Sequence, residues 1–347
     1  MTTELPLPGH YRAENAEAFG YRPDPAALAA AAADWRRRHE IEAPHAGEPR
    51  ITLLLIDVQR DFCFPEGALF VSGRSGRGAL DDNDRIARFV YRHLDRLTSI
   101  VCTLDTHSPH QIFFPEFWQG ADGEPLAAYR EIHADDVRSG RVRPRPEMAR
   151  RYAHGDREWL RRQVLDYCER LESAGRYRLY LWPPHCLAGG DGHSLVGVVQ
   201  EARLFHAYCR EVAAPLLRKG EAPLTEFYSA IGPEVASAHD GSALAPTRPE
   251  RIDELLAVDA LVVAGQASSH CVRATLDDLV REAVRRDPKG AERIWILEDA
   301  TSAVAVPDPE RPGEWLADFT GEAEAAFTRF ARAGARRLRS TEPLPEP

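Results

Sequence analysis

The chain has 347 residues, 44% of them hydrophobic, enough for one large α/β domain with insertions or for two smaller domains. Its net charge is −10 and its arginine clusters, such as "WRRRH" at 35–39, are short and interrupted, which argues against a nucleic-acid partner. No apolar run approaches the roughly 18 to 20 residues of a membrane span, and "MTTELPLPGHYRAENAEAFGYRP" at the start has no apolar signal core, so no membrane is expected and the expected compartment is the cytoplasm.

In chain order, residues 1–50 read as an accessory segment. Within it, "DPAALAAAAADWRRRHEIEAP" opens with Asp-Pro and continues in strong helix formers, which predicts a helix. "ITLLLID" (Ile51 to Asp57) is an apolar run ending in an acid, the pattern of a buried parallel strand. "NDRIARFVYRHLDRL" predicts an amphipathic helix, and "SIVCTLD" (Ser99 to Asp105) a second strand. Residues 121–175 are charged and Arg-rich, helical in "DREWLRRQVLDYCERLES". They read as an insertion that caps the site or meets another subunit. "RYRLYLW" (Arg176 to Trp182) predicts a third strand, "LVGVVQEARLFHAYCREV" a helix, "PLLRKG" a short strand, and "ALVVAG" and "RIWILED" the last two. One α/β domain is thus expected over 51–338, and "STEPLPEP" predicts a disordered tail over 339–347. Six strands alternating with helices predict an α/β fold, a parallel sheet covered on both faces.

Ligands of such sheets bind beyond the carboxyl ends of the strands. The residues predicted there are Asp57, Asp105, His107, Trp182, His185, Lys219 and Cys271. The six cysteines are scattered without a CxxC pair, so neither a disulfide framework nor a structural zinc finger is expected. Cys271 stands apart because it lies where "ALVVAG" ends and the helical pattern "VRATLDDLVREAVRR" begins. Backbone N–H groups at a helix start favour a thiolate. The plain alternative is a buried structural cysteine. Asp57 could accept the thiol proton and Lys219 could orient the pair, which together imply acyl transfer through a thioester. Asp105 and His107 in "LDTHSPH", with His185 in "WPPHC", suit a divalent metal such as Zn²⁺, Mn²⁺ or Fe²⁺.

The segments "LLLIDVQRDFC", "TLDTH", "LWPPHC", "RKG…EFYSAIG" and "GQASSHCVRATLDDLV" follow one another within residues 51–305. In that order they resemble the nicotinamidase/isochorismatase superfamily of cysteine hydrolases, here a longer, nicotinamidase-related branch. The resemblance implies a three-layer α/β/α isochorismatase-like hydrolase fold with a six-stranded parallel sheet. It implies a catalytic triad of Asp57, Lys219 and Cys271, and an oxyanion hole from the N–H groups of Ala267 and Cys271 behind a cis peptide at Gln266–Ala267. It implies a metal held by Asp105, His107 and His185, with the remaining histidine position falling on Gln111. A glutamine oxygen binds metal more weakly than imidazole, so either the metal site is weakened or Asp105 and His107 serve substrate binding instead. Phe62, Trp182 and Tyr228 match aromatic pocket positions, either packing beneath the site or stacking on a ligand. The implied partner is a small amide substrate, and the resemblance also carries the expectation of a homo-oligomer.

Four functions follow, in order. The first is hydrolysis of a small carboxamide, with nicotinamide, giving nicotinate and ammonia, leading. The second is hydrolysis of an N-carbamoyl or ureido compound. The third is an isochorismatase-type cleavage, which needs no cysteine. The last is a catalytically silent binding protein, which an intact triad argues against.

Overall fold

The computed structural model describes residues 4–175 and 177–347. Six strands form one sheet: β1 (Ile51–Ile56), β2 (Ser99–Asp105), β3 (Leu216–Lys219), β4 (Ala260–Gly265), β5 (Ile294–Leu297) and β6 (Arg336–Leu338). Their spatial order is β6-β5-β4-β1-β2-β3, and every neighbouring pair is parallel. β1, β4 and β5 are buried along their whole length. That burial explains their unbroken apolar runs, since a strand covered on both faces needs no polar alternation.

The principal helices are α1 (Pro25–His39), α2 (Gly78–Arg92), α3 (Arg157–Ala174), α4 (Gly197–Arg210), α5 (Cys271–Arg286) and α6 (Thr320–Arg332). Successive strand residues point to opposite faces, and the two faces meet different helices. Leu54, Ile56 and Val263 pack with Val272 and Leu276 of α5 and Phe327 of α6. Leu53, Leu55 and Val262 share the other core with Phe89 of α2 and Val198 of α4. Helix, sheet and helix give the three layers that the strand–helix alternation predicts. Leu28 and Trp35 of α1, and Leu160 and Val164 of α3, belong to that second core too.

Two strands differ from expectation. The run predicted at 176–182 is not in the central sheet; only Leu179–Tyr180 is extended, paired antiparallel with Glu131–Ile132. Arg176 itself lies outside the described residues. The N–H groups of Leu181 and Trp182 are spent on the carbonyls of Arg130 (2.8 Å) and Phe113 (2.8 Å), and Pro183 and Pro184 offer no donor to extend a ladder. The sixth strand is instead β6, an edge strand whose sequence "RRL" carries no apolar signal. α2 also begins at Gly78, five residues before the amphipathic pattern that predicts it.

With 176–182 outside the sheet, the chain between β2 and β3 makes one long excursion that includes α3 and α4. At the carboxyl end of the sequence, Leu344 is buried and Arg96 donates to the carbonyl of Pro345 at 3.0 Å, where composition predicts a disordered tail. All six cysteines are free. Among the described residues no helix is long and apolar enough to cross a membrane.

Candidate active site

Four adjacent strands, β4-β1-β2-β3, end at one edge and deliver the site. Asp57 follows β1, Asp105 closes β2 and Lys219 closes β3, with Asp105 and Lys219 directly paired in the register. β4 ends at Gly265, whose φ is +115°. A Cβ there would stand 2.1 Å from the Ile56 carbonyl oxygen, so only glycine lets β4 approach β1 this closely. The chain then passes through a cis peptide at Gln266–Ala267 and enters α5 at Cys271.

Lys219 is the hub. Its Nζ lies 2.9 Å from Asp57 Oδ2 and 3.2 Å from Asp105 Oδ1. It donates to the Phe227 carbonyl at 2.8 Å and to Cys271 Sγ at 3.5 Å. Asp57 Oδ1 accepts from Thr103 Oγ1 at 2.6 Å. The three predicted residues are thus brought together, fully enclosed. Burial favours a neutral Lys219, but the charges of Asp105 and Asp57 overbalance it and hold the ammonium well above its ordinary range. Burial pushes the Asp57 carboxyl up, against the pull of Lys219. A raised carboxyl suits a proton acceptor working near neutrality.

Cys271 departs from the expectation of a resting thiolate. Burial, reinforced by the charges of Asp57 and Asp105, pushes its thiol well up, and the opposing pull of Lys219 is insufficient. The helix start alone suggested the reverse because the sequence does not reveal two carboxylates facing one ammonium. Among the described residues, neither the Ala267 nor the Cys271 N–H donates to another backbone carbonyl, and both residues line the same chamber as the thiol.

Asp105, His107 and His185 place their ligand atoms within 4.8 Å of one another, all buried. His107 Nδ1 sits 2.9 Å from the Gly220 carbonyl oxygen. A carbonyl only accepts, so Nδ1 carries the proton and Nε2 presents a lone pair. That Nε2 has no hydrogen-bond partner, yet stands 2.9 Å from Asp105 Oδ2. Two acceptors this close need a shared proton or a cation between them. His185 turns Nδ1 to the Pro183 carbonyl at 2.8 Å and Nε2 towards Asp105 at 3.9 Å. Burial, with His107 adding to it, lowers His185 to about 4, leaving a neutral imidazole able to ligate. The donor set fits a divalent cation. Gln111 Nε2 donates to the Gly220 carbonyl at 2.9 Å and lies 3.4 Å from His107 Nδ1, while its buried Oε1 has no hydrogen-bond partner. It shares the Gly220 carbonyl oxygen with His107 Nδ1, on the side of the ring away from Asp105.

Phe62, Trp182 and Tyr228 all line the chamber beside Cys271. Trp182 Nε1 donates to Tyr228 Oη at 3.0 Å, and Tyr228 in turn donates to Glu226 Oε1 at 2.6 Å. Sequence reasoning singles out neither Glu226 nor Gln59, although both lie inside quoted motifs. Gln59 clamps the Asp105 backbone, accepting from its N–H at 2.7 Å and donating to its carbonyl at 2.8 Å. Gln59, a polar residue just beyond the apolar run of β1, could have been found by that position, whereas Glu226 carries no such signal.

No protein-family model matches the chain, and no curated protein does. Solved structures do. A nicotinamidase/pyrazinamidase of Acinetobacter baumanii is similar over 85% of this chain and 99% of that one, at 19% identity and a TM-score of 0.50. The yeast nicotinamidase covers 83% of this chain and 99% of its own, at 18% identity and TM-score 0.48. The pyrazinamidase of Pyrococcus horikoshii, solved in complex with zinc, covers 84% and 99%, at 19% identity and TM-score 0.42. At such identities the likeness speaks of architecture. The fold is the isochorismatase-like hydrolase fold.

Proposed function

We propose that the chain is a cysteine amidohydrolase that cleaves a small carboxamide through a thioester, with nicotinamide the leading candidate. The observation that carries this reading is the position of the Lys219 ammonium, 2.9 Å from Asp57 and 3.5 Å from the Cys271 sulfur. Asp57 takes the thiol proton while Lys219 stabilises the ions that form. The sulfur adds to the amide carbonyl, and the Ala267 and Cys271 N–H groups receive the oxyanion. Asp57 returns the proton to the nitrogen, the C–N bond breaks and ammonia leaves. Water, deprotonated by Asp57, then adds to the thioester; the C–S bond breaks, the acid is released and the thiol is restored. The net reaction consumes one water per amide. The nicotinamidase and pyrazinamidase names of the similar structures agree with this class of reaction.

Asp105, His107 and His185 would hold a divalent metal, Zn²⁺, Mn²⁺ or Fe²⁺, which when bound would supply a Lewis-acid docking point for a substrate donor atom. Purified protein is expected to carry such an ion, and His107→Ala or His185→Ala to lose it; elemental analysis that finds equal metal in all three would remove the site.

The decisive test is ammonia release from a panel of carboxamides and ureido compounds, with Cys271→Ala alongside. Release from nicotinamide that vanishes in the variant supports the full reading. Cys271-dependent release from another amide keeps the mechanism and moves the substrate. Undiminished release by Cys271→Ala would end the covalent route.

A further inference from the structure

The reacting chamber has a volume of only about 40 Å³. A carboxamide head, with its carbon, oxygen and nitrogen, enters it, and a longer substrate extends into the neighbouring space. Beside the chamber lies a cleft of about 720 Å³, and Tyr228 and His270 line both cavities. The cleft is walled by the 121–175 excursion on one side and by the first turns of α5 and α6 on the other.

The acids of that cleft are matched, with one exception. Glu131 meets Arg178 at 3.2 Å and His133 at 3.3 Å, and Asp136 meets Arg141 at 2.8 Å. Asp135 pairs with Arg138, and Glu172 accepts from the Ala134 N–H at 2.9 Å. The exception, Glu322, is exposed to solvent. Arg273 is the anomalous group. It stands two residues beyond Cys271, its side chain is only 18% exposed, and its buried Nε has no hydrogen-bond partner. Asp277 Oδ2 is 3.9 Å from that Nε, beyond hydrogen-bond reach, while Asp277 Oδ1 accepts from Arg329 at 2.6 Å. The guanidinium is held over the Tyr177 ring, 5.1 Å from its centroid. A partly desolvated guanidinium with an unsatisfied donor costs free energy in the resting protein. Its flat fork is shaped to bind a carboxylate through two hydrogen bonds.

We propose that the preferred substrate is an elongated amide whose carboxamide head enters the chamber and whose far end carries a carboxylate that docks on Arg273. This rests on the amidohydrolase reading and sharpens its substrate class. Nicotinamide, short and neutral, fits the chemistry but leaves Arg273 unmet. The aromatic side chains of Tyr177, Tyr228 and Phe319 flank the path between the two ends.

The test uses benzamides that carry, through one to four para methylenes, a carboxylate, its methyl ester or a trimethylammonium group. Ammonia release is measured with the full-length protein, and binding is measured by calorimetry on Cys271→Ala. At the best spacer the carboxylate is expected to exceed its ester by about tenfold or more in kcat/KM and in affinity. That ratio should fall towards one when Arg273→Gln is introduced and should partly survive in Arg273→Lys. Circular dichroism and Tm show whether each variant is folded; should Arg273→Gln not fold, loss of the preference with rising salt in the unmodified protein takes its place. An ester or trimethylammonium compound that equals or beats the carboxylate overturns the proposal, as does a preference that persists in Arg273→Gln. If no compound releases ammonia, the amidohydrolase reading fails separately, and the calorimetric ratio still decides whether Arg273 holds a carboxylate.

Discussion

Glu226 is a buried carboxyl, 2% exposed, held by hydroxyls: Tyr228 donates at 2.6 Å and Tyr167 at 2.9 Å. Burial raises its pKa from 4.5 to about 8, the tyrosine hydrogen bonds opposing and the Glu234 charge adding to the rise. The unfolded chain therefore ionises first as pH rises. Stability from this group is fully present below about pH 4.5 and is lost progressively towards pH 8. Glu226→Gln keeps the shape and has no charge to desolvate. Its stability relative to the unmodified protein should rise between pH 5 and pH 8, by an amount on the order of 4 kcal/mol. Urea midpoints at the two pH values measure it; a gap that is flat with pH would mean that Glu226 is ionised throughout. The same carboxyl fixes Tyr228, and through it Trp182, in the chamber wall. The sequence offers the aromatic pair as pocket residues, but the acid that orients them is legible only once burial is known.

At the level of elements, β1, β2, β4 and β5 are readable because each is an apolar run ending at or beside a polar or glycine residue at the sheet's edge, whereas β3, "LLRK", offers only two leucines before its charges. β6 is unreadable because an edge strand of "RRL" buries little and needs no apolar pattern. The segment around Leu179–Tyr180 reads as a strand because its alternation is real, but that alternation answers to the chamber and to the 131–132 pair rather than to the sheet. The site is legible in residue type and order and illegible in its balance of charges, which is why the helix start suggests a lowered thiol whereas burial and two carboxylates push it up. Gly265 joins these scales. Gly265→Ala would drive a methyl to 2.1 Å from the Ile56 oxygen at a φ of +115°. That oxygen accepts from the Gln266 N–H at 2.7 Å, so the clash falls on both Asp57 and the Ala267 loop. A loss of about 3 kcal/mol or more is expected, together with most activity. Gly321→Ala, with no atom within 4 Å of the added methyl, is the control; it should be neutral or slightly stabilising in the first turn of α6. Equal urea midpoints for the two variants would refute the close-approach argument.

Across the whole molecule, residues of the 4–50 segment pack into the core although composition reads residues 1–50 as an accessory. Tyr11, Leu28, Trp35 and Ile41 are each less than a tenth exposed and share a core with the sheet. Trp35 packs edge-on to Phe205 of α4, with ring centroids 6.1 Å apart. A second tie is polar. Glu201 of α4, 2% exposed, accepts from Tyr91 at 2.8 Å and from Tyr21 of the N-terminal segment. Removing residues 1–41 would uncover Phe205 and take one donor from a buried carboxylate. Four large side chains at roughly 1.5 to 3 kcal/mol each, and an unmet carboxylate oxygen besides, amount to more than the margin by which most domains are folded. The truncated chain is therefore expected to be insoluble, or to unfold at a much lower urea concentration than the full chain. The milder Tyr21→Phe keeps the packing and removes only the hydroxyl, so it should cost about 1 to 3 kcal/mol. A truncated chain with an unchanged midpoint would show that the segment is laid on a finished domain, and that the continuity of its apolar residues with the sheet's core contributes nothing to holding the molecule together.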